Sequence, residues 1–482
     1  MKLQATPAKR STPSNAIAIL IAVVGITAFV GLLPASRWQV DEYLTGTIFR
    51  DQGVSALWER VSTWSPRFLS ELGLFFYQHW VNSTGTPHIL LFMLLLWGLF
   101  LFAVILPTAY ARTGYRGLTL SISLTLAFLC IAGQRNSEVL YWLQAAIAYL
   151  PSVSGLILAS ITILTADMEE RLPRVTVAVA LTVAALTSEA GAFMVGAISG
   201  LFFVYSVTEQ LFTQRQQTFG VVTFFIPLAA TAVVMFFLAG GRLGTNAEVI
   251  GDPAIAHNVL ASLKMTVSIF PLQYFLFGNN VLSGGFPGAG ALTKIAFFVG
   301  AFAAFTCIPN RRGSVIAGAI IGIAGVAAAF ISMGGSIFQF GVHCCERHTT
   351  MEQVYIWISI VGFAKAVAGL IQNKSDILPK ISAPALAIAS LIPLSLLTTS
   401  LMTNYSRLPE IREKQIAVWH TGSSDAPEII IRKFEPALIT QGGFTEFPAG
   451  EYQNTPDTGW YQRIIMDYFK KDKLVVVPAT QP

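Results

Sequence analysis

The sequence is poor in charge and in cysteine. Charged residues fill 12% of its 482 positions, whereas an average soluble domain has about 25%. So few charges exclude a disordered chain, and the apolar residues stand in long uncharged runs that a soluble enzyme lacks. Four cysteines in the whole sequence exclude a small disulfide-stapled scaffold. Cys344 and Cys345 are adjacent, a spacing at which bridge geometry is strained, so we expect no disulfide between them.

The apolar runs also lack the alternation of polar and apolar residues that a membrane β-barrel requires. They are solid and long enough, at about 20 residues, for a helix to cross a bilayer. The sequence therefore predicts an all-α polytopic membrane protein with about eleven transmembrane helices. The predicted spans are residues 16–34, 88–107, 117–133, 147–166, 174–188, 190–207, 219–239, 292–308, 314–333, 352–371 and 382–402.

Basic residues orient these spans. Alternate short connectors are basic and fall on the side of the N-terminus, which the positive-inside rule places in the cytoplasm. These connectors carry Arg112, Arg116, Arg171, Arg174, Arg215, Arg311, Arg312, Lys374 and Lys380. They account for the net charge of +5, so no nucleic-acid partner is predicted. The prediction is a multi-pass protein of the cytoplasmic (inner) membrane, with a cytoplasmic N-terminus and an extracytoplasmic C-terminus.

Two domains follow from this topology. Residues 1–403 form a transmembrane domain, in which residues 35–87 are the first extracytoplasmic loop. Residues 404–482 are of mixed charge and contain short strand-like runs at 428–432 and 474–478, which predicts a small extracytoplasmic α/β C-terminal cap. The amphipathic segment 257–277 cannot cross once without reversing the parity, so it is predicted to be interfacial or re-entrant.

The first loop alternates aromatic and charged residues, a pattern that favours amphipathic helices lying at the membrane interface. Asp41 and Glu42 follow the first span by a few residues. Partial burial at this boundary raises the pKa of a carboxyl group towards that of a useful general base. The alternative interpretation is a hydrated acidic pair that merely follows the end of a helix.

Further ionisable residues stand at the outer ends of spans. Glu138, Glu189, Arg242 and Arg347 all fall on this side in the predicted topology. Such residues cost about 2.5–3.5 kcal/mol each at membrane depth, and they usually face one another or a wet cavity. Acids and arginines on one face suggest a site that binds an anion and activates a nucleophile. The alternative is a set of structural ion pairs between helices.

Taken in order, several short motifs resemble the GT-C superfamily of membrane glycosyltransferases, closest to its bacterial GtrII-like and DUF6056-like members. The motifs are Asp41-Glu42, Trp64 to Arg67, Glu138 with Trp142 and Tyr149, Ser188-Glu189, Gly240-Gly241-Arg242, Arg347, and Asp457 to Trp460. The resemblance covers most of the chain. The acidic pair departs from the family pattern, because many members have two aspartates where this sequence has Asp-Glu.

The resemblance implies a transferase that takes a sugar from a polyprenyl-phosphate-linked donor to a glycan, lipid or protein acceptor at the extracytoplasmic face. It implies that Asp41 is the general base and that Glu42 aligns the acceptor or supports Asp41. The implied donor-phosphate ligands are Arg67, Arg242 and Arg347. The implied sugar or acceptor contacts are Trp64, Glu138, Trp142, Tyr149 and Glu189. No metal and no other cofactor is expected, since transferases of this donor class generally use none.

Three other functions remain open at this point. A transporter or flippase of lipid-linked sugars would explain the spans and the buried charges, but it does not predict a long aromatic first loop. An O-antigen polymerase or ligase-like protein would have its large outer loop late in the chain. A structural subunit would have dispensable charges.

Overall fold

The apolar runs fold into helices because a bilayer offers their backbone amides no water to bond. The computed structural model describes residues 13–132, 136–213, 220–241, 251–271, 273–274, 288–309, 313–371, 378–432 and 448–478. The first helices are α1 (Pro13–Val30), α2 (Val40–Gln52), α3 (Val54–Glu59), α4 (Phe68–Thr84), α5 (Ile89–Ile105), α6 (Pro107–Tyr110), α7 (Arg116–Ile131), α8 (Ser137–Tyr141), α9 (Leu143–Thr165) and α10 (Arg171–Thr187). The later helices are α11 (Glu189–Thr213), α12 (Val221–Gly240), α13 (Val259–Pro271), α14 (Ala289–Cys307), α15 (Ser314–Phe340), α16 (Glu346–Leu370), α17 (Leu378–Ser406), α18 (Leu408–Ser423) and α19 (Trp460–Phe469).

Within the described ranges, ten helices are long and apolar enough to cross a membrane. The chain is therefore an all-α multi-pass membrane protein. The predicted span 174–188 corresponds to α10, and its 17 residues extend only about 25 Å at 1.5 Å per residue. The count of about eleven crossings thus stays a prediction. Helix α13 has 13 residues, too few to cross, and the interfacial or re-entrant position of the segment 257–277 stays a prediction.

Glycines bring the long helices α15 and α16 into close backbone contact. A Cβ atom on Gly318 would stand 2.7 Å from the Gly362 carbonyl oxygen, and one on Gly325 would stand 2.5 Å from the Tyr355 carbonyl oxygen. Small residues serve this purpose in membranes because helix association there depends on close packing. The contact fixes α16, which carries Arg347 at its N-terminal end, against the long helix α15.

The first loop folds into α2, α3 and α4, which confirms that helices occupy it. Helix α2 begins with a capping box between Gln39 and Glu42, an arrangement that satisfies backbone donors at a helix start. Helix α3 continues into a single π turn, Arg60–Trp64. A short extended stretch then leads to Arg67, the residue before α4.

The chain after α17 forms α18, α19 and a three-stranded sheet. The strands are β1 (Glu428–Arg432), β2 (Gly450–Gln453) and β3 (Lys473–Val477), arranged in the order β1-β3-β2. β1 lies parallel to β3, and β2 lies antiparallel to it. The predicted strands at 428–432 and 474–478 are confirmed as β1 and β3. This unit packs on the first loop, where Arg50 donates to the Tyr468 carbonyl oxygen at 2.9 Å.

The prediction that Cys344 and Cys345 do not bridge is wrong. Their sulfur atoms are bonded in the short turn between α15 and α16. Cys345 adopts a left-handed backbone with φ of 71°, and this turn brings the adjacent side chains together. The other described cysteines, Cys130 and Cys307, are not part of a disulfide, and the Cys307 thiol donates to the Ala303 carbonyl oxygen at 3.3 Å.

Candidate functional site

A polar cleft lies between the first loop and the N-terminal ends of α9 and α16. Its empty volume is about 550 Å³, counted to include its open mouth. The side chains that line it include Asp41, Arg60, Trp64, Arg67, Glu71, Trp142, Tyr149 and Arg347. Residues from the loop and from two distant helices therefore meet in one place. Of the charged residues expected to share one face, Asp41, Arg67 and Arg347 line this cleft, and the side of the membrane on which the cleft opens stays a prediction.

The two acids of the first loop have different surroundings. Asp41 lines the cleft and is partly exposed. Glu42 is 0% exposed and accepts hydrogen bonds from the backbone of Gln39 at 2.8 Å and of Gln144 at 3.0 Å. It also accepts from the indole nitrogen of Trp142 at 2.6 Å. Burial raises the pKa of Glu42 to about 8, although these three hydrogen bonds oppose the shift.

Arg67 lines the cleft and is mostly buried, with its side chain 16% exposed. Its guanidinium donates through Nε to Glu189 and through Nη2 to the Tyr149 hydroxyl, the latter at 3.2 Å. It also lies over the Tyr149 ring, with its central carbon 5.2 Å from the ring centroid. Burial lowers the pKa of Arg67, but Glu189 and Tyr149 more than offset this and raise it.

The position of Glu189 follows from the break between two apolar helices. Ser188 is extended between α10 and α11, and its hydroxyl accepts from the Gly191 amide at 2.8 Å. This cap ends one helix and starts the next. Glu189, as the first residue of α11, is thereby directed at Arg67.

Arg347 lines the opposite wall and is held by Glu138. The Arg347 backbone amide lies 3.3 Å from a Glu138 carboxylate oxygen, and its Nη1 lies 3.6 Å from the same atom. Its guanidinium stands over Trp142, 5.7 Å from the ring centroid. Burial raises the pKa of Glu138, and the charge of Arg347 opposes that shift. The amide of Asn136 joins the C-terminal carbonyls of α7 to Thr350 on α16.

A third arginine of the cleft was not among the predicted site residues. Arg60 donates to both carboxylate oxygens of Glu71, at 2.8 and 3.3 Å. The π turn that follows α3 places Arg60 here, and such turns are frequent at functional sites. The sequence signal was weak, because Arg60 appeared as one of several charges in the loop and Glu71 falls inside a mostly apolar helix.

A larger apolar groove begins where the cleft ends. It has an empty volume of about 1320 Å³, and its walls come from α11, α12, α13 and α15. Phe193, Leu238, Leu263 and Phe330 are among its lining residues. Arg67 and Tyr149 line both cavities, so the groove and the cleft meet at these two side chains.

The structure sorts the predicted site residues into groups. Those that line the cleft are Asp41, Trp64, Arg67, Trp142, Tyr149 and Arg347. Glu42, Glu138 and Glu189 lie behind it and bind Trp142, Arg347 and Arg67, respectively. Arg242 lies outside the described residues. In the part of the chain that the structure describes, no three His, Cys, Asp or Glu side chains are grouped to hold a metal ion.

Comparison with known proteins adds no relative. No protein-family model, curated protein or solved structure matches this chain. The resemblance to the GT-C superfamily therefore stays a prediction, carried by the motifs in the sequence.

Proposed function

We propose that this chain is a GT-C-type membrane glycosyltransferase that uses a polyprenyl-phosphate-linked sugar as donor. The observation that carries the proposal is the junction at Arg67, where a polar cleft meets an apolar groove. The donor has three chemical parts in one line, namely an apolar chain, a phosphate and a sugar. The groove suits the chain, Arg67 suits the phosphate, and the cleft suits the sugar.

Arg67 is the best placed of the candidate phosphate ligands. A guanidinium presents five N–H donors in a fork that matches phosphate geometry. Its bonds to described residues go to Glu189 and Tyr149, which leaves donors for a ligand. Arg60 and Arg347 line the same cleft and add positive charge beside the leaving group.

Asp41 is assigned as the general base. The acceptor hydroxyl attacks the anomeric carbon of the donor sugar and gives its proton to the Asp41 carboxylate. The bond from that carbon to the phosphate oxygen breaks, and its electron pair leaves with polyprenyl phosphate. Asp41 later releases the proton to solvent. Glu42 is a positioning residue, because it holds Trp142 and does not line the cleft.

Trp64, Trp142 and Tyr149 are assigned to the sugar and acceptor. Trp64 is 58% exposed at the mouth of the cleft, where an aromatic face can pack against a sugar ring. Glu138 and Glu189 act on the site through Arg347 and Arg67. No metal is assigned to the reaction.

The proposed orientation places the cleft on the extracytoplasmic side of the cytoplasmic membrane. The basic connectors support it through the positive-inside rule. The disulfide of Cys344 and Cys345 supports it too, because disulfides persist in oxidising compartments. In this orientation residues 404–482 form an extracytoplasmic cap beside the first loop.

The test is a glycan profile of cells that lack the gene, complemented with wild type, Asp41→Asn or Asp51→Asn. Asp51 is an exposed aspartate of the same loop, paired with Arg50 at 3.1 Å, and it serves as the matched control. We expect wild type and Asp51→Asn to restore a missing sugar. Asp41→Asn should lower transfer by about 10²–10⁴-fold, the usual effect of losing a general base. Full restoration by a stably expressed Asp41→Asn would instead favour transport of a lipid-linked sugar.

A further inference from the structure

A second amphipathic groove lies on the other side of the first loop. Its empty volume is about 1100 Å³, and it is bounded by the end of the first span, the turn before α5, and α18. Leu90 on α5 and Ile416 on α18 line it and are 41% and 59% exposed. Because two candidate spans have ends in its walls, the groove opens at the boundary between bilayer and water.

Helix α18 presents two different faces to its surroundings. Ile411 is buried against Ala35 and Leu408, which fixes the helix to the end of the first span. Arg412, Ile416 and His420 line the groove, and because they are four residues apart they share one face of the helix. The groove face thus carries two basic side chains with an apolar residue between them.

The two basic side chains are available to a ligand. Arg412 and His420 are exposed, and no described residue forms a hydrogen bond or ion pair with either side chain. Elsewhere on α18, by contrast, Glu410 binds both Arg407 and Lys414. Basic pockets beside membrane helices suit anionic lipid head groups, because the head group meets the cations and the acyl chains meet the apolar wall.

We propose that this groove binds an anionic phospholipid of the bilayer, with its phosphate on Arg412 and His420 and an acyl chain along Leu90 and Ile416. The site is separate from the donor groove and shares no lining residue with it. It does not depend on the chain being a transferase.

The bound lipid would also support the cleft. Trp419 lines the lipid groove and packs edge-on against Trp38, with ring centroids 4.8 Å apart. Trp38 donates to the Tyr77 hydroxyl at 2.7 Å, and Tyr77 donates to the Pro87 carbonyl oxygen at 2.6 Å. Pro87 lines the lipid groove as well. Two lining residues of the groove are thus connected to Trp38, which precedes Asp41: Trp419 contacts it directly, and Pro87 is linked to it through Tyr77.

The test is native mass spectrometry of the full-length protein in detergent, titrated with phosphatidylglycerol or phosphatidylcholine. We expect wild type to retain phosphatidylglycerol in preference to phosphatidylcholine. Arg412→Gln/His420→Gln should weaken retention about tenfold or more, since two charge-assisted contacts are lost. Ile416→Asp, which keeps both Arg412 and His420, should weaken it as well. Arg432→Gln removes one positive charge outside the groove and should leave retention unchanged.

Several results would overturn the proposal. Equal retention by wild type and the Arg412→Gln/His420→Gln variant would show that the lipid binds elsewhere. If wild type retained phosphatidylcholine as well as phosphatidylglycerol, the negative charge of the lipid would not contribute to binding. Displacement of phosphatidylglycerol by polyprenyl phosphate, at a site sensitive to these substitutions, would assign the groove to the donor or acceptor instead. The assay involves no sugar transfer, so its failure is distinct from failure of the proposed function.

Discussion

The cleft and the C-terminal sheet are both rich in ion pairs, but they bury them differently. In the cleft, the side chains of Arg60 and Glu71 are 12% and 5% exposed. Beside the sheet, those of Arg432 and Glu413 are 52% and 76% exposed, with a closest N···O distance of 3.9 Å. Exposed pairs contribute about 0–1 kcal/mol, whereas breaking a buried pair costs about 3–5 kcal/mol. Removal of one partner of a pair is therefore expected to cost far more stability in the cleft than beside the sheet.

The largest effect on stability is expected from Glu189→Gln. This substitution leaves the buried Arg67 guanidinium without its carboxylate and should destabilise the protein by about 3–5 kcal/mol. Thermal unfolding in detergent measures the change. The double variant Arg67→Gln/Glu189→Gln removes both charges and should regain part of the loss. A single variant as stable as wild type would mean that the pair is not buried as described.

A pH-dependent effect is expected from Glu42. Its pKa is raised by burial from 4.5 to about 8, so between these values the folded state binds more protons than the unfolded state. The free energy of unfolding should therefore fall as pH rises from about 4.5 through about 8. Glu42→Gln should flatten this part of the stability profile, whereas the exposed Asp51→Asn should retain it. An unchanged profile in Glu42→Gln would show that Glu42 does not titrate in this window.

The smallest effect is expected from Arg432→Gln beside the sheet. Its pair with Glu413 is exposed and long, so the free energy of unfolding should change by no more than about 0.5 kcal/mol. Thermal unfolding of Arg432→Gln and Glu189→Gln, measured in parallel, compares the two losses of stability directly. A loss as large as that of Glu189→Gln would erase the difference between the two regions.

Local sequence signals predicted much of the fold. Solid apolar runs predicted the long helices, and the Ser188-Glu189 interruption predicted the break between α10 and α11. These signals are short in range and follow from the length a helix needs to cross a bilayer.

Other features depend on contacts that the sequence does not display. Asp41 and Glu42 are adjacent, yet Asp41 lines the cleft and Glu42 is buried beside Trp142. Trp142 lies 100 positions further along the chain. Arg60 joins the site through a π turn. The Cys344–Cys345 bridge depends on a left-handed residue in a turn, and the apolar groove is assembled from four helices. Which side chains contact one another, and whether a side chain faces the cleft or the interior, is decided by tertiary packing.

The central claim is that the cleft and the apolar groove form one binding path through Arg67. The most direct measurement is the affinity of the purified full-length protein for polyprenyl phosphate in detergent. Arg67→Gln/Glu189→Gln removes the buried pair at the junction, and Arg432→Gln/Glu413→Gln removes an exposed pair beside the sheet. We predict that the first variant binds at least about tenfold more weakly than wild type and that the second binds equally well. Equal binding by a folded Arg67→Gln/Glu189→Gln variant would contradict the account.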